Sequence, residues 1–419
     1  MAVVRWPPMD GFSTRALRAA MRGVRLAQRP NSVPIYQSAT FSAADSDELA
    51  AILNDEQAGY AYSRIDNPTS AALAAAVAEL EGAEAGHAFA SGMGAIHATL
   101  VALAQAGDHI VASAALYGST RHLLGGILAR LGIETTFVDA RDTDAVARGM
   151  RPNTRVLYLE TIANPTITVV DLEALAAIGH RHGVTVVVDN TFASPYLCQP
   201  LALGADLVVH SGTKYLGGHG DVIAGVVVGD AGRIRAVRDV QTDTGAALAP
   251  FSAWLVLRGI ETLGVRMERH CANGLGLARA LEGREGVRSV LYPGLASHPD
   301  AAVAARQLRA GGGMLAFELA GGRSAGRAFL DALQIGERTA SLGAVFTMAV
   351  HPPSTTHRQL DAAALAEAGI PEGLIRVSVG IEDLDDIVRA FDLALDAAAS
   401  TEVAVGAAPG SSSAAGMPS

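Results

Sequence analysis

Short apolar runs recur through the middle of the chain. His109–Ser113, Val156–Glu160, Val184–Asp189, Leu207–His210 and Ala224–Val228 are each four to six residues long. Most are rich in β-branched residues and are continuous rather than alternating, as in strands covered on both faces. Ala71–Leu80 and the stretches 94–106, 118–131 and 171–182 have helix-forming composition. Several of these lie between the runs, and strand–helix alternation predicts a parallel sheet flanked by helices. Beyond residue 255 the pattern changes to long helices near 253–283, 298–309 and 385–398, with short strands at Met314–Leu319 and Ile375–Val379. The expected fold is α/β, a large domain with a mostly parallel sheet followed by a smaller C-terminal α+β domain. The domain boundaries are expected at 61–255 for the first and 256–396 for the second.

At either end the pattern fades. Residues 1–10 read as loose, and the small-residue stretch 405–419 cannot bury enough apolar area to offset ordering, so 397–419 is expected to be a disordered tail. No internal repeat is visible. A length of 419 residues is enough for two or three domains with cores of their own. The formal charge of −10, from 32 basic and 42 acidic residues, argues against a nucleic-acid partner. No apolar stretch is long enough to span a membrane, and the first residues lack the layout of a secretory signal. Cys198 and Cys271 are the only cysteines, too few for a disulfide framework or a zinc pattern. These features predict a soluble cytoplasmic protein that holds no metal.

One residue count points to chemistry. All the basic residues are arginine except Lys214. Either cation serves on a surface, but only lysine loses its proton at moderate cost and attacks a carbonyl as a free amine. A lysine surviving by chance on the surface is the alternative. Lys214 lies just past a strand end, in His210-Ser211-Gly212-Thr213-Lys214-Tyr215. Ser211 and Thr213 are either anion ligands beside that amine or ordinary turn formers. Asp189 closes the run Val184–Asp189, where a carboxylate needs a cation or donor, or caps the next turn. Ala90-Ser91-Gly92-Met93-Gly94 precedes a helix, and glycines there let backbone N–H groups approach a phosphate. In an open parallel sheet ligands gather at the carboxyl ends of strands, where all three features fall. Amine, carboxylate and phosphate cradle together match the needs of pyridoxal 5'-phosphate.

These residues also carry a resemblance. Asp206 to Asp221 (DLVVHSGTKYLGGHGD), Val33 to Phe41 (VPIYQSATF) and Tyr62 to Thr69 (YSRIDNPT) resemble the Cys/Met-metabolism pyridoxal-phosphate enzymes. The family includes methionine γ-lyase, cystathionine γ-lyase, cystathionine γ-synthase and the O-acylhomoserine sulfhydrylases. The likeness runs from Gly11 to about residue 396. It implies fold type I of the pyridoxal-phosphate enzymes, with Lys214 as the lysine that carries the cofactor and Asp189 as partner of the pyridine nitrogen. It implies that Gly92, Met93, Ser211 and Thr213 bind the phosphate, and that Tyr117 stacks on the ring. Glu160 and Asn164 match a pair near the ring hydroxyl. Arg376, with Ser341 and Leu342 beside it, matches the clamp on the substrate carboxylate, a task suited to a bidentate guanidinium. The resemblance further implies that residues 1–60 form an arm serving the neighbouring subunit. Tyr62 and Arg64 would reach that subunit's cofactor, in homodimers with shared sites that pair into a homotetramer. His219 reads as a loop residue, and His180 and His182 as solvated.

The implied reaction begins with loss of a proton from Cα to Lys214, then one from Cβ, and then departure of a group at Cγ with Tyr117 as acid. γ-Elimination and γ-replacement share these steps. Two departures bear on the choice. Ser119 stands where methionine γ-lyases usually carry cysteine, and Arg121 where an aromatic is common. Phe346 occupies the place of a glutamate that meets a distal ammonium in many cystathionine enzymes, which disfavours cystathionine. The blocks 264–273 and 292–297 look most like methionine γ-lyase, so a compact methionine-like or activated homoserine-type amino acid is the expected substrate. γ-Replacement and loss of a non-sulfur leaving group remain alternatives.

Overall fold

The computed structural model describes residues 11–20, 30–356, 358, 361, 363, 365 and 369–406, the last seven by backbone alone. Its centre is a seven-stranded sheet. The strands are β1 (Ala85–Phe89), β2 (His109–Ser113), β3 (Glu134–Val138), β4 (Thr154–Glu160), β5 (Thr185–Asp189), β6 (Leu207–Ser211) and β7 (Gly225–Gly229), in the spatial order β1-β7-β6-β5-β4-β2-β3. Strands β2 to β6 pair in parallel. Both faces are covered, as the continuous apolar runs require. Leu157, Val186, Val188 and Val208 enter one core, whereas Val156, Tyr158, Val187 and Val209 enter another on the opposite face.

Strand β7 departs from the expected parallel pattern, running antiparallel to both β6 and β1. Parallel neighbours need a crossover, commonly a helix, but an antiparallel one can be reached by a returning loop. Residues 212–224 are that loop, and they carry Lys214. The helices fall near their expected places with shifted ends. Pro68–Glu81 starts at Asn67, whose side chain accepts from the Thr69 N–H at 2.9 Å, and ends at Gly82 with φ 75°. The stretch 118–131 is a short helix, Gly118–His122, followed by a π-turn over Leu123–Leu128.

The smaller unit is a five-stranded sheet of β8 (Val287–Leu291), β9 (Met314–Leu319), β10 (Glu337–Arg338), β11 (Met348–Val350) and β12 (Leu374–Ser378), in the order β10-β11-β12-β9-β8. Its core joins Phe317, Phe329 and Phe391 in mutually tilted and edge-on contacts. The expected boundary at 255/256 lies within the helix Pro250–Glu261. Val256, Leu257, Ile260 and Met267 pack into the core of the large unit, and Leu277 is the first buried residue of the next helix in the small one. The units therefore share the helix Leu263–Leu281.

Towards the amino end, helix Phe12–Ala20 packs on its own chain, burying Phe12, Ala16 and Ala19, and Phe12 meets Tyr196 edge-on at 5.0 Å. The last helix, Leu384–Gly406, takes in the first part of the tail expected from 397, its burial of Phe391, Ala394 and Ala398 carrying it onward. Residues 1–10 and 407–419 lie outside the described residues. No helix among the described residues is long and apolar enough to cross a membrane.

Candidate active site

The carboxyl ends of β4, β5 and β6, the loop after β6 and the start of helix Gly92–Leu103 converge on one cavity. It holds about 910 Å3 of empty volume, its open mouth included. Gly92, Met93, Tyr117, Glu160, Asn164, Asp189, Ser211, Thr213, Lys214 and Leu342 all line it.

Each side arises from local structure. Ser91 caps the helix Gly92–Leu103, its hydroxyl accepting from the Gly94 N–H at 3.0 Å. The N–H groups of the first turn have no helical partner, and the positive end of the helix dipole faces the cavity. A Cβ on Gly92 would lie 2.8 Å from that of Ser211, so only glycine lets the helix approach β6 this closely. The Thr213 hydroxyl exchanges bonds with the Ala224 backbone, at 3.1 Å to its N and 3.3 Å to its O. This bond ties the two ends of the Lys214 loop together.

Lys214 Nζ donates to Ser341 Oγ at 3.0 Å. Burial, and then the nearby Arg376 cation, push its pKa down to about 8, so a neutral amine is within reach near physiological pH. Asp189 stands beside Glu160 in the β4–β5 register, and its carboxylate accepts from the Thr191 N–H at 3.0 Å. Burial holds it above the usual carboxylate range. Burial, and then Asp189, push Glu160 up to about 8. Glu160 accepts from the backbone N–H groups of Tyr117 at 2.7 Å and Asn164 at 3.1 Å. It thereby fixes the segment that presents the half-exposed Tyr117 ring to the cavity.

Arg376, on β12, is 4% exposed. It donates to Asn164 Oδ1 and to the Ser341 carbonyl, both at 2.9 Å, while its Nε has no partner among the described residues. Burial lowers its pKa to about 10. No carboxylate pairs with it among the described residues, so a bound carboxylate would complete it.

Not every expected residue is here. Ser119 is exposed on the helix Gly118–His122 and outside the lining. Arg121 turns away, donating to the Ala114 carbonyl at 3.0 Å with its guanidinium 4.4 Å above the Phe137 ring. Neither lines the cavity in this chain, Arg121 being drawn instead to the β2–β3 edge of the sheet. Phe346 lies against Gly220 in the neighbouring loop, also outside the lining. Tyr62 and Arg64 do not reach it either. The Arg64 guanidinium sits 5.3 Å from the centre of the Tyr62 ring and donates to the Thr242 carbonyl. His219 bonds the Gly217 carbonyl within its loop, whereas His180, expected to be merely solvated, meets Asp206 at 3.1 Å.

Other residues complete the wall: Ser91, Ile96, Ile162, Thr191, Phe192, Ile223 and Ala340. Thr191 Oγ1 accepts from the Ser211 N–H at 2.8 Å, from the turn that follows β5. Nothing in the sequence marked Thr191, Ile223 or Ala340.

These groups fit pyridoxal phosphate: a buried amine, a buried carboxylate with no cation at ion-pair distance among the described residues, and a helix start with hydroxyls around it. Comparisons agree. A methionine γ-lyase of Pseudomonas putida is 46% identical over 398 residues, 93% of this chain and 98% of the relative. An O-succinylhomoserine sulfhydrylase of Pseudomonas aeruginosa is 40% identical, covering 90% of this chain and 93% of the relative. A Campylobacter jejuni protein solved with N'-pyridoxyl-lysine-5'-monophosphate superposes with a TM-score of 0.88 at 33% identity, over 92% of this chain and 99% of that one. Residues 13–396 match the Cys/Met metabolism PLP-dependent enzymes, and the chain belongs to that family.

Proposed function

We propose that this enzyme catalyses γ-elimination from a Cγ-substituted L-amino acid whose leaving group is uncharged, methionine-like or an activated homoserine. The observation that carries this reading is the charge inventory of the cavity. Among the described residues, Glu160, Asp189 and Lys214 are its only charged lining residues, with Arg376 behind them. Among the described residues nothing remains to pair a distal ammonium or carboxylate. Ile162, Ile223, Ala340 and Leu342 supply apolar wall instead.

When held by Lys214, pyridoxal phosphate supplies an electron sink for charge developing at the substrate's Cα. Arg376 orients the substrate carboxylate, steadied by Asn164 and Ser341. Lys214, once free, takes the Cα proton, an exchange its lowered pKa suits, and loss of a proton from Cβ then supplies the electron pair that expels the group at Cγ. Asp189 holds a proton on the ring nitrogen. Tyr117 gives a proton to the departing group. Water then completes the balance, yielding the protonated leaving group, 2-oxobutyrate and ammonium. Tyr62 and Arg64, exposed and away from their own cavity, serve the site of a second copy.

The likeness to a sulfhydrylase favours a second reading, γ-replacement of an acyloxy group by a thiol. The two separate in one experiment. The enzyme is incubated with L-methionine and with O-acetyl-L-homoserine, with and without added thiol, and both 2-oxobutyrate and thioether are measured. Elimination predicts 2-oxobutyrate without thiol. Thioether formed only with thiol, and no oxo acid, rejects it.

A further inference from the structure

Behind the cavity lies a buried polar chain that the reaction does not use. Glu81, last residue of the helix Pro68–Glu81, is 1% exposed. Its Oε1 accepts from Asn190 Nδ2 at 2.8 Å and meets His210 Nε2 at 2.6 Å. Asn190 also donates to the Cys198 carbonyl at 2.9 Å, and its Oδ1 accepts from Thr161 Oγ1 at 2.7 Å. Glu81 Oε2 has no partner among the described residues.

Nothing in the helix itself calls for a carboxylate there. The carboxyl end of a helix repels negative charge, and burial adds a desolvation cost. An apolar residue would suit that alanine-rich helix better. The compensation lies in the sheet, because three members of this polar chain are sequence neighbours of cavity residues. Thr161 follows Glu160, Asn190 follows Asp189, and His210 precedes Ser211. In extended backbone successive side chains point to opposite faces. Fixing one set from behind therefore fixes the direction of the other in front.

We propose that Glu81 and Asn190 are positioning residues for the cofactor. Their buried hydrogen bonds lock the carboxyl ends of β4, β5 and β6 so that Glu160, Asp189 and Ser211 face the bound ring and phosphate in register. No proton or electron passes through them.

The test uses the full-length protein, stripped of cofactor and titrated with pyridoxal phosphate. Affinity is read from fluorescence, the visible band of the bound cofactor from absorbance, and stability of the stripped protein from its melting temperature. Glu81→Leu and Asn190→Ala are expected to weaken cofactor binding about tenfold or more and to alter the band. Glu81→Gln keeps an acceptor oxygen and recovers most of both. The control is His109→Ala. His109 is equally buried and bonds Thr154 at 2.8 Å and Thr136 at 2.9 Å, but at the amino end of β2. It is expected to lose stability while keeping cofactor affinity and band. If Glu81→Leu does not fold, Asn190→Ala decides by the same readouts. The proposal is overturned if the folded variants bind cofactor like the parent, or if His109→Ala disturbs affinity and band as much as they do.

Discussion

Lys214 concentrates the chemistry of this chain. Its amine lies beside Ser341, and desolvation, followed by the field of Arg376, brings it to about 8 from an ordinary 10.5. The neutral amine is the nucleophile, so uptake of pyridoxal phosphate by the stripped enzyme should accelerate as pH rises towards 8 and level off above it. Rapid-mixing absorbance across pH would follow this. Arg376→Ala removes the nearby cation and should move the midpoint up, towards the ordinary lysine value. Lys214→Arg keeps the positive charge but has no titratable amine in the accessible range. It should abolish turnover and leave no cofactor mass attached after borohydride treatment, by intact-protein mass spectrometry.

Among secondary-structure elements, the start of the helix Gly92–Leu103 is the most exposed to a single change. It lies against the end of β6, with no room for a Cβ at Gly92. Gly92→Ala should push the helix start away from Ser211, costing about 1–3 kcal/mol of stability by overpacking. If the N–H groups of the same turn hold the phosphate, cofactor affinity should fall as well. Calorimetry and a fluorescence titration would measure the two separately. An unchanged affinity would place the phosphate elsewhere. The loop 212–224 is the complementary element, anchored at Thr213 and Ala224 so that Lys214 is held between two strands.

Across the assembled protein, the proposal that each site borrows Tyr62 and Arg64 from a second copy makes a sharp prediction. Arg64→Ala and Lys214→Ala should each be nearly inactive alone. Mixed after dissociation and reassociation, they should regain about a quarter of parental activity, since half the dimers are hybrids with one intact site of two. No recovery, with hybrids verified by native mass spectrometry, would mean Arg64 serves its own chain. The rim supports sharing, for Ile223 is 66% exposed and Tyr117 44% exposed at the mouth of the cavity. Large apolar groups left open around a cavity favour coverage by another surface.

Much of this was legible in the amino-acid order. Buried strands announce themselves by continuous β-branched runs, and β4 to β6 were found within two residues at either end because covered faces tolerate little else. Lys214, Asp189 and Gly92 stood out because chemistry at strand ends restricts residue type more tightly than packing does. Long-range arrangement was not readable. The direction of β7 depends on how a loop returns, and the 255/256 boundary dissolved because one helix serves two cores. Ser119 and Arg121 share a motif with Tyr117, yet helical geometry sends them away from the cavity. Glu81 lay hidden in an alanine-rich helix, since its partners come from strands more than a hundred residues distant. Local order specifies which residues can do chemistry; folding in three dimensions selects which of them meet, because contact energies act between groups the chain itself does not join.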